Sequence, residues 1–173
     1  LLLFDGDVFT RDVPAPTILD NLIAAGHIPP MLVVMLDSPN RQRELYCHEP
    51  FAEFIVSEMI PWVRQKYQVS TSPAQNTVAG VSAGGLAAAF MGLRHSEIFG
   101  NVLSNSGAFY WSPEQKPENF WDWEIPTEGA WLIRQYVSRE KLSLRFRLDA
   151  GLLEDQRDNP TMTILQSNRY MRD

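Results

Sequence analysis

A single cysteine, Cys47, excludes an internal disulfide and any cysteine-based metal cluster. Long apolar runs are also missing. Met31 to Leu36 is among the longest, far short of the ~20 residues a membrane span needs. Basic residues do not dominate: 15 Lys and Arg stand against 21 Asp and Glu, for a net charge of −6 and a pI near 5.1. That balance argues against a nucleic-acid partner. The 12 prolines and 10 glycines are scattered, so low-complexity disorder is not indicated. What is present is an ordinary globular composition of 45% apolar and 21% charged residues in 173. A chain of this length buries roughly 70% of its unfolded surface, enough for one core.

Both ends read as interrupted. Leu1-Leu2-Leu3-Phe4 starts at full hydrophobicity, as if within a strand, without the charged segment and long apolar run of a secretory signal. The last residues, Gln166 to Asp173, fall inside a helical pattern. The expectation is a single domain over 1–173, incomplete at both ends and part of a larger folded unit.

Between the ends, strand and helix patterns alternate. Strands are expected at Leu1–Phe4, Met31–Leu36, Thr77–Val81, Asn101–Ser104 and Leu144–Leu148. Helices are expected at Thr17–Ala25, capped by Thr17, and at Phe51–Tyr67, kinked by Pro61. Further helices are expected at Leu86–Leu93, at Ala130–Val137 and from Pro160 onward. A Trp- and Pro-rich stretch from Ser106 to Glu128 reads as an irregular insertion. Five strands alternating with helices predict an α/β fold with a mainly parallel sheet.

The sharpest local signal is Gly80-Val81-Ser82-Ala83-Gly84, a G-x-S-x-G between a β-rich run and a small-residue helix start. Small residues two before and two after the serine let strand and helix backbones approach, and the serine is held in a strained turn. Ser82 then sits at a helix N-terminus, where free N–H groups favour developing negative charge. A phosphate loop would need a Gly-Lys-[Ser/Thr] ending, which is absent.

The stretch Val78 to Ala88, then Phe99-Gly100, then Ser104-Asn105-Ser106-Gly107, resembles the esterase D family of α/β-hydrolases, and within it the enterochelin (ferric enterobactin) esterases. Leu2-Leu3-Phe4-Asp5-Gly6, Arg41-Gln42-Arg43-Glu44-Leu45 and Leu148-Asp149-Ala150-Gly151 agree in order. The resemblance implies an α/β-hydrolase fold and a serine esterase acting on the trilactone of a ferric catecholate siderophore. It implies no cofactor, since iron would enter only with the substrate, and it suggests a cytoplasmic protein, with periplasm or secretion left open.

A serine hydroxyl needs a base and an orienting carboxylate, which in this fold follow in the order Ser, Asp/Glu, His. Asp149, Glu154 and Asp155 follow the last strand. By resemblance the acid lies just past the Ala-Gly pair, which puts Glu154 first, Asp155 second, and Asp149 in a structural role. His27 and His48 precede Ser82. His95 lies at the far end of its helix, on the order of 15–20 Å away. All three read as surface or loop residues and none fits the base. The resemblance places that histidine beyond Asp173; otherwise the protein lacks one. The resemblance implies oxyanion donors at the N–H groups of Ala83 and Asp7, unless Asp5-Gly6 is only a turn. Arg41 and Arg43 follow the second strand and would suit an anionic catecholate or a polarised ester carbonyl. The alternative is an ion pair of Arg43 with Glu44 or Glu49. His48 stands where relatives tend to carry asparagine. Phe109, Tyr110, Trp111, Phe120, Trp121, Trp123 and Trp131 either line a catechol pocket or cap a core under a long loop. Cys47 reads as a small buried hydrophobe.

The expected partner is a small-molecule ester, with no nucleic acid or membrane, and the oligomeric state is open. Rival readings are an esterase of the same family acting on acyl-sugar or thioester substrates, and a binding module that keeps the fold without the base.

Overall fold

The computed structural model describes residues 1–113, 130–155 and 162–173. Five strands form one sheet in the order β2-β1-β3-β4-β5, and every neighbouring pair is parallel. The strands are β1 (Leu2–Phe4), β2 (Val34–Leu36), β3 (Thr77–Val81), β4 (Asn101–Asn105) and β5 (Arg145–Asp149). Each of the five expected strands is present. β2 is shorter than the expected 31–36, although the chain before it already follows β1: the Leu1 amino group donates to Leu32 O and Val34 N–H to Leu1 O, both at 2.8 Å.

The sequence pattern missed α1 (Gly6–Arg11), which begins directly after β1 where Asp5-Gly6-Asp7 reads as a turn or loop. α2 (Ala15–Ala24) starts after Pro14, so Thr17 lies inside the first turn and does not cap it. Pro16, whose fixed φ suits a first turn, accounts for the earlier start. A short helix, α3 (Arg41–Glu44), follows β2. The expected long helix is three pieces: α4 (Glu49–Phe54), a π-helical turn over Ile55–Met59, and α5 (Ile60–Lys66). Pro61 lacks the N–H for an i→i−4 bond, and the wider turn before it absorbs that loss.

The core lies around α6 (Ala83–Arg94), in which every residue from Ala83 to Leu93 is buried. Apolar on all sides, such a helix belongs inside a fold. It packs on β3 and β4, with Phe4, Leu45, Ile55, Val78, Val102 and Phe109 filling the surrounding space. α7 (Trp131–Val137) and α8 (Ile164–Arg172) complete the described residues. Residues 160–161, at the expected start of the last helix, lie outside them. α8 opens with a capping box in which Thr163 Oγ1 accepts from Gln166 N–H and Gln166 Oε1 from Thr163 N–H. No helix among the described residues is long and apolar enough to cross a membrane.

Candidate active site

Ser82 is the single residue between β3 and α6, half-buried, with φ 57 and ψ −118. This is left-handed backbone, which an L side chain occupies only where its surroundings impose it. The surroundings are on both sides. Ser82 N–H donates to Asn105 O at 2.9 Å, while Ser82 O accepts from Ala108 N–H and, as the helix begins, from Leu86 N–H, both at 3.0 Å. Gly80 and Gly84 make the corner sterically feasible: a Cβ at Gly80 would overlap the Gly84 backbone. Ala83, the first residue of α6, has an N–H that belongs to the helix's four unspent donors.

The residues following β1 and β4 also have positive φ. Asp5 (φ 57), Ser82 (φ 57) and Ser106 (φ 48) each come immediately after the last residue of adjacent strands β1, β3 and β4. Three polar non-glycine residues in left-handed backbone therefore stand side by side at the carboxyl edge of the sheet, where open α/β sheets bind ligands.

Asp5 is buried and its carboxylate accepts two hydrogen bonds from Arg41, Nε to Oδ1 at 2.7 Å and Nη2 to Oδ2 at 3.0 Å. The Asp5 hydrogen bonds, together with its charge, raise the Arg41 pKa above its ordinary value against the opposing effect of desolvation. A Cβ on Gly84 would lie 3.1 Å from Asp5 Oδ2, so this carboxylate rests against the first turn of α6. Arg41, expected to face an anionic substrate, thus already spends its fork on Asp5 beside the elbow. Tyr46 lies in the same neighbourhood, its hydroxyl pushed up to about 12, first by burial and then by Tyr110.

Asp7 sits in the first turn of α1 and not in a loop. Val8 and Phe9 N–H both close on Asp5 O, and the Asp7 amide precedes them. Its carboxylate pairs with Arg11. Desolvation pushes the carboxyl up, but the Arg11 hydrogen bond and the Val8 amide outweigh it, and the group titrates below its ordinary value.

Arg43 pairs with neither Glu44 nor Glu49. Its Nε donates to His48 Nε2 at 3.2 Å, and Glu49 instead holds Arg94, with Nη2 2.9 Å from Oε2. His27 is exposed, but His95 is not the surface residue expected. It is buried at the end of α6, with Nε2 3.6 Å from Glu53 and Nδ1 3.3 Å from Glu97. The helix cap needs no histidine there, so periodicity gave no warning of the burial. Cys47 carries a thiol pushed well up by burial and then by Glu49.

The three acids at and after the end of β5 have separate partners. Asp149 is the last residue of β5 and is held by Arg147, which lowers its pKa chiefly through their hydrogen bonds. Asp155 Oδ1 accepts from Thr163 Oγ1 at 2.5 Å, at the cap of α8. Glu154, half-buried on a 3₁₀ turn (Leu152–Asp155), turns toward the corner after β4: its Oε2 accepts from Ser106 Oγ at 2.8 Å and from Gly151 N–H at 2.7 Å. Ser106 was not anticipated as part of the site, because its contact spans 48 residues and no local pattern encodes it.

Of the aromatic group, Phe109 and Tyr110 are buried in the core. Trp111 packs between Tyr46 and Trp131, with ring centroids at 5.7 and 6.2 Å. Phe120, Trp121 and Trp123 lie outside the described residues.

A five-stranded parallel sheet flanked by helices, with a tight strand-to-helix corner on its third strand in chain order, is the α/β-hydrolase-like esterase fold. The Esterase family model, described as "Putative esterase", matches residues 1–172, and the chain belongs to this family. It is 30% identical over 153 residues to the iron(III) enterobactin esterase of Escherichia coli (strain K12), covering 83% of this chain and 38% of that protein. With the iron(III) enterobactin esterase of Dickeya dadantii (strain 3937) the identity is 34% over 113 residues, or 64% of this chain and 26% of that protein. The crystal structure of the Shigella flexneri enterobactin esterase in the presence of 2,3-dihydroxy-N-benzoyl-serine matches with a TM-score of 0.82 and 28% identity, covering 99% of this chain and 42% of that one. The chain therefore spans well under half the length of these relatives.

Proposed function

We propose that this chain carries the nucleophile, oxyanion donors and acid of a serine esterase whose substrate is a ferric catecholate siderophore lactone. The observation that carries the reading is Ser82 in strained left-handed backbone between β3 and the buried helix α6. Ser82 Oγ attacks the ester carbonyl carbon while a base takes its proton. The N–H groups of Ala83 and Asp7 hold the oxyanion. The ester C–O bond then breaks, the leaving alkoxide takes the proton back from the base, and water hydrolyses the acyl-serine. The base is read as a histidine outside these 173 residues, since His27 and His48 precede Ser82 in the chain and His95 ends the helix that Ser82 begins. Glu154 orients it. Asp149 and Asp155 are weaker choices because Arg147 and Thr163 already engage them. The relatives named as enterobactin esterases support the substrate class. Arg43 and Arg41 offer positive charge for an anionic catecholate, Arg41 while its Nε and Nη2 also hold Asp5 at the corner.

The whole protein is tested with a fluorophosphonate probe and with a ferric catecholate trilactone against feruloyl, acetyl and glutathione esters. Labelling at Ser82, lost in Ser82→Ala with about a 10⁶-fold drop in kcat, is the expected result. Undiminished turnover in that variant overturns the nucleophile assignment. Preference for a feruloyl or acetyl ester moves the substrate within the same chemistry.

A further inference from the structure

Ser106 takes no part in the chemistry above, yet it sits in backbone that favours glycine although Gly107 is the next residue along. Its surroundings are fixed. Its own N–H donates to Asp149 O at 2.6 Å, the preceding Asn105 O takes the Ser82 N–H, and the following Gly107 O accepts from buried Asn168 Nδ2 at 2.8 Å. Backbone bonds thus tie this corner to Ser82 on one side and to β5 on the other. The hydroxyl has one proton. Asn105 Oδ1 lies 3.2 Å away, but the shorter, charge-assisted bond goes to Glu154 Oε2 at 2.8 Å. Gly151 N–H reaches the same oxygen, so among the described residues both hydrogen bonds to this carboxylate fall on Oε2. Little apolar packing helps: Leu152 and Leu153, the residues before Glu154, are 77% and 76% exposed.

We infer that Ser106 is a positioning residue for Glu154. Its hydroxyl and the Gly151 N–H anchor Oε2, and Oε1 is left to accept from the catalytic imidazole. The inference rests on Glu154 being the acid of the serine esterase proposed above. A carboxylate gripped through one oxygen keeps its second aimed at the base, and the base is thereby held toward Ser82.

The test uses Ser106→Gly and Ser106→Ala in the whole protein, each alone and combined with Glu154→Gln. Glycine removes the whole side chain but keeps the left-handed backbone without strain, so that variant folds, and alanine removes only the hydroxyl. The expected result is a kcat reduced about 10- to 100-fold with KM within about twofold. The acidic limb of the kcat/KM profile moves to lower pH, because the imidazolium loses part of its aligned counter-charge. In the Glu154→Gln background, removing the hydroxyl changes nothing further. A Ser106→Gly enzyme with kcat within about twofold of the parent overturns the inference, as does a loss that simply adds to that of Glu154→Gln. Undiminished kcat in Glu154→Gln alone instead overturns the acid assignment, and the role of Ser106 with it.

Discussion

On the two sides of Ser82 the fold uses different forces. Toward α6, every residue from Ala83 to Leu93 is buried, and Gly80 and Gly84 bring two backbones into contact. Toward β5, Arg145, Phe146 and Arg147 are exposed, and the turn bearing Glu154 is held by hydrogen bonds from Ser106, Gly151 and Thr163 beside α8. Apolar packing is non-directional and cooperative, so damage on the first side costs folding. Hydrogen bonds are directional and local, so damage on the second costs aim while the domain survives.

The contrast is broken most directly from the packed side. Phe4→Ala, at a fully buried side chain on β1, is expected to lower unfolding free energy by about 3–5 kcal/mol in urea titrations. Gly80→Ala drives a methyl into the Gly84 backbone and is expected to cost about 1–3 kcal/mol by the same measurement. Arg41→Ala leaves the buried Asp5 carboxylate without its fork. Because the Arg41 side chain is 38% exposed, the loss is expected to be about 1–2 kcal/mol and smaller in high salt. On the polar side, Leu152→Ser and Leu153→Ser are expected to shift stability by no more than about 0.5 kcal/mol, and a larger loss would mean that turn is packed after all. Amide exchange sharpens the same line: α6 and β3 amides should open only on global unfolding, and those of β5 and its turn earlier.

What could be read from the sequence follows the same division. β3 runs from Thr77 to Val81 as its pattern predicts, and α6 covers the expected Leu86–Leu93 but starts at Ala83, because its pattern is a local signal while the two glycines before Leu86 obscured its start. The one-turn helix after Asp5 was hidden because Asp-Gly-Asp reads equally well as a turn. The Arg41–Asp5 pair joins residues 36 apart, and nothing local separates it from a pair with a neighbouring glutamate. The partners of Asp149, Glu154 and Asp155 are likewise not legible locally: the Glu154 carboxylate bonds to Ser106, 48 residues away, at the corner whose backbone also holds Ser82 and the Asp149 carbonyl.

Asp5, Ser82 and Ser106 all hold a backbone shape that glycine would adopt more cheaply. Repeated selection for heat resistance alone would therefore drift toward glycine at Ser82, whereas at Asp5 the ion pair with Arg41 opposes it. The winners of such a screen would be hardier proteins without the serine proposed above as nucleophile, and each round must be read against turnover as well as melting.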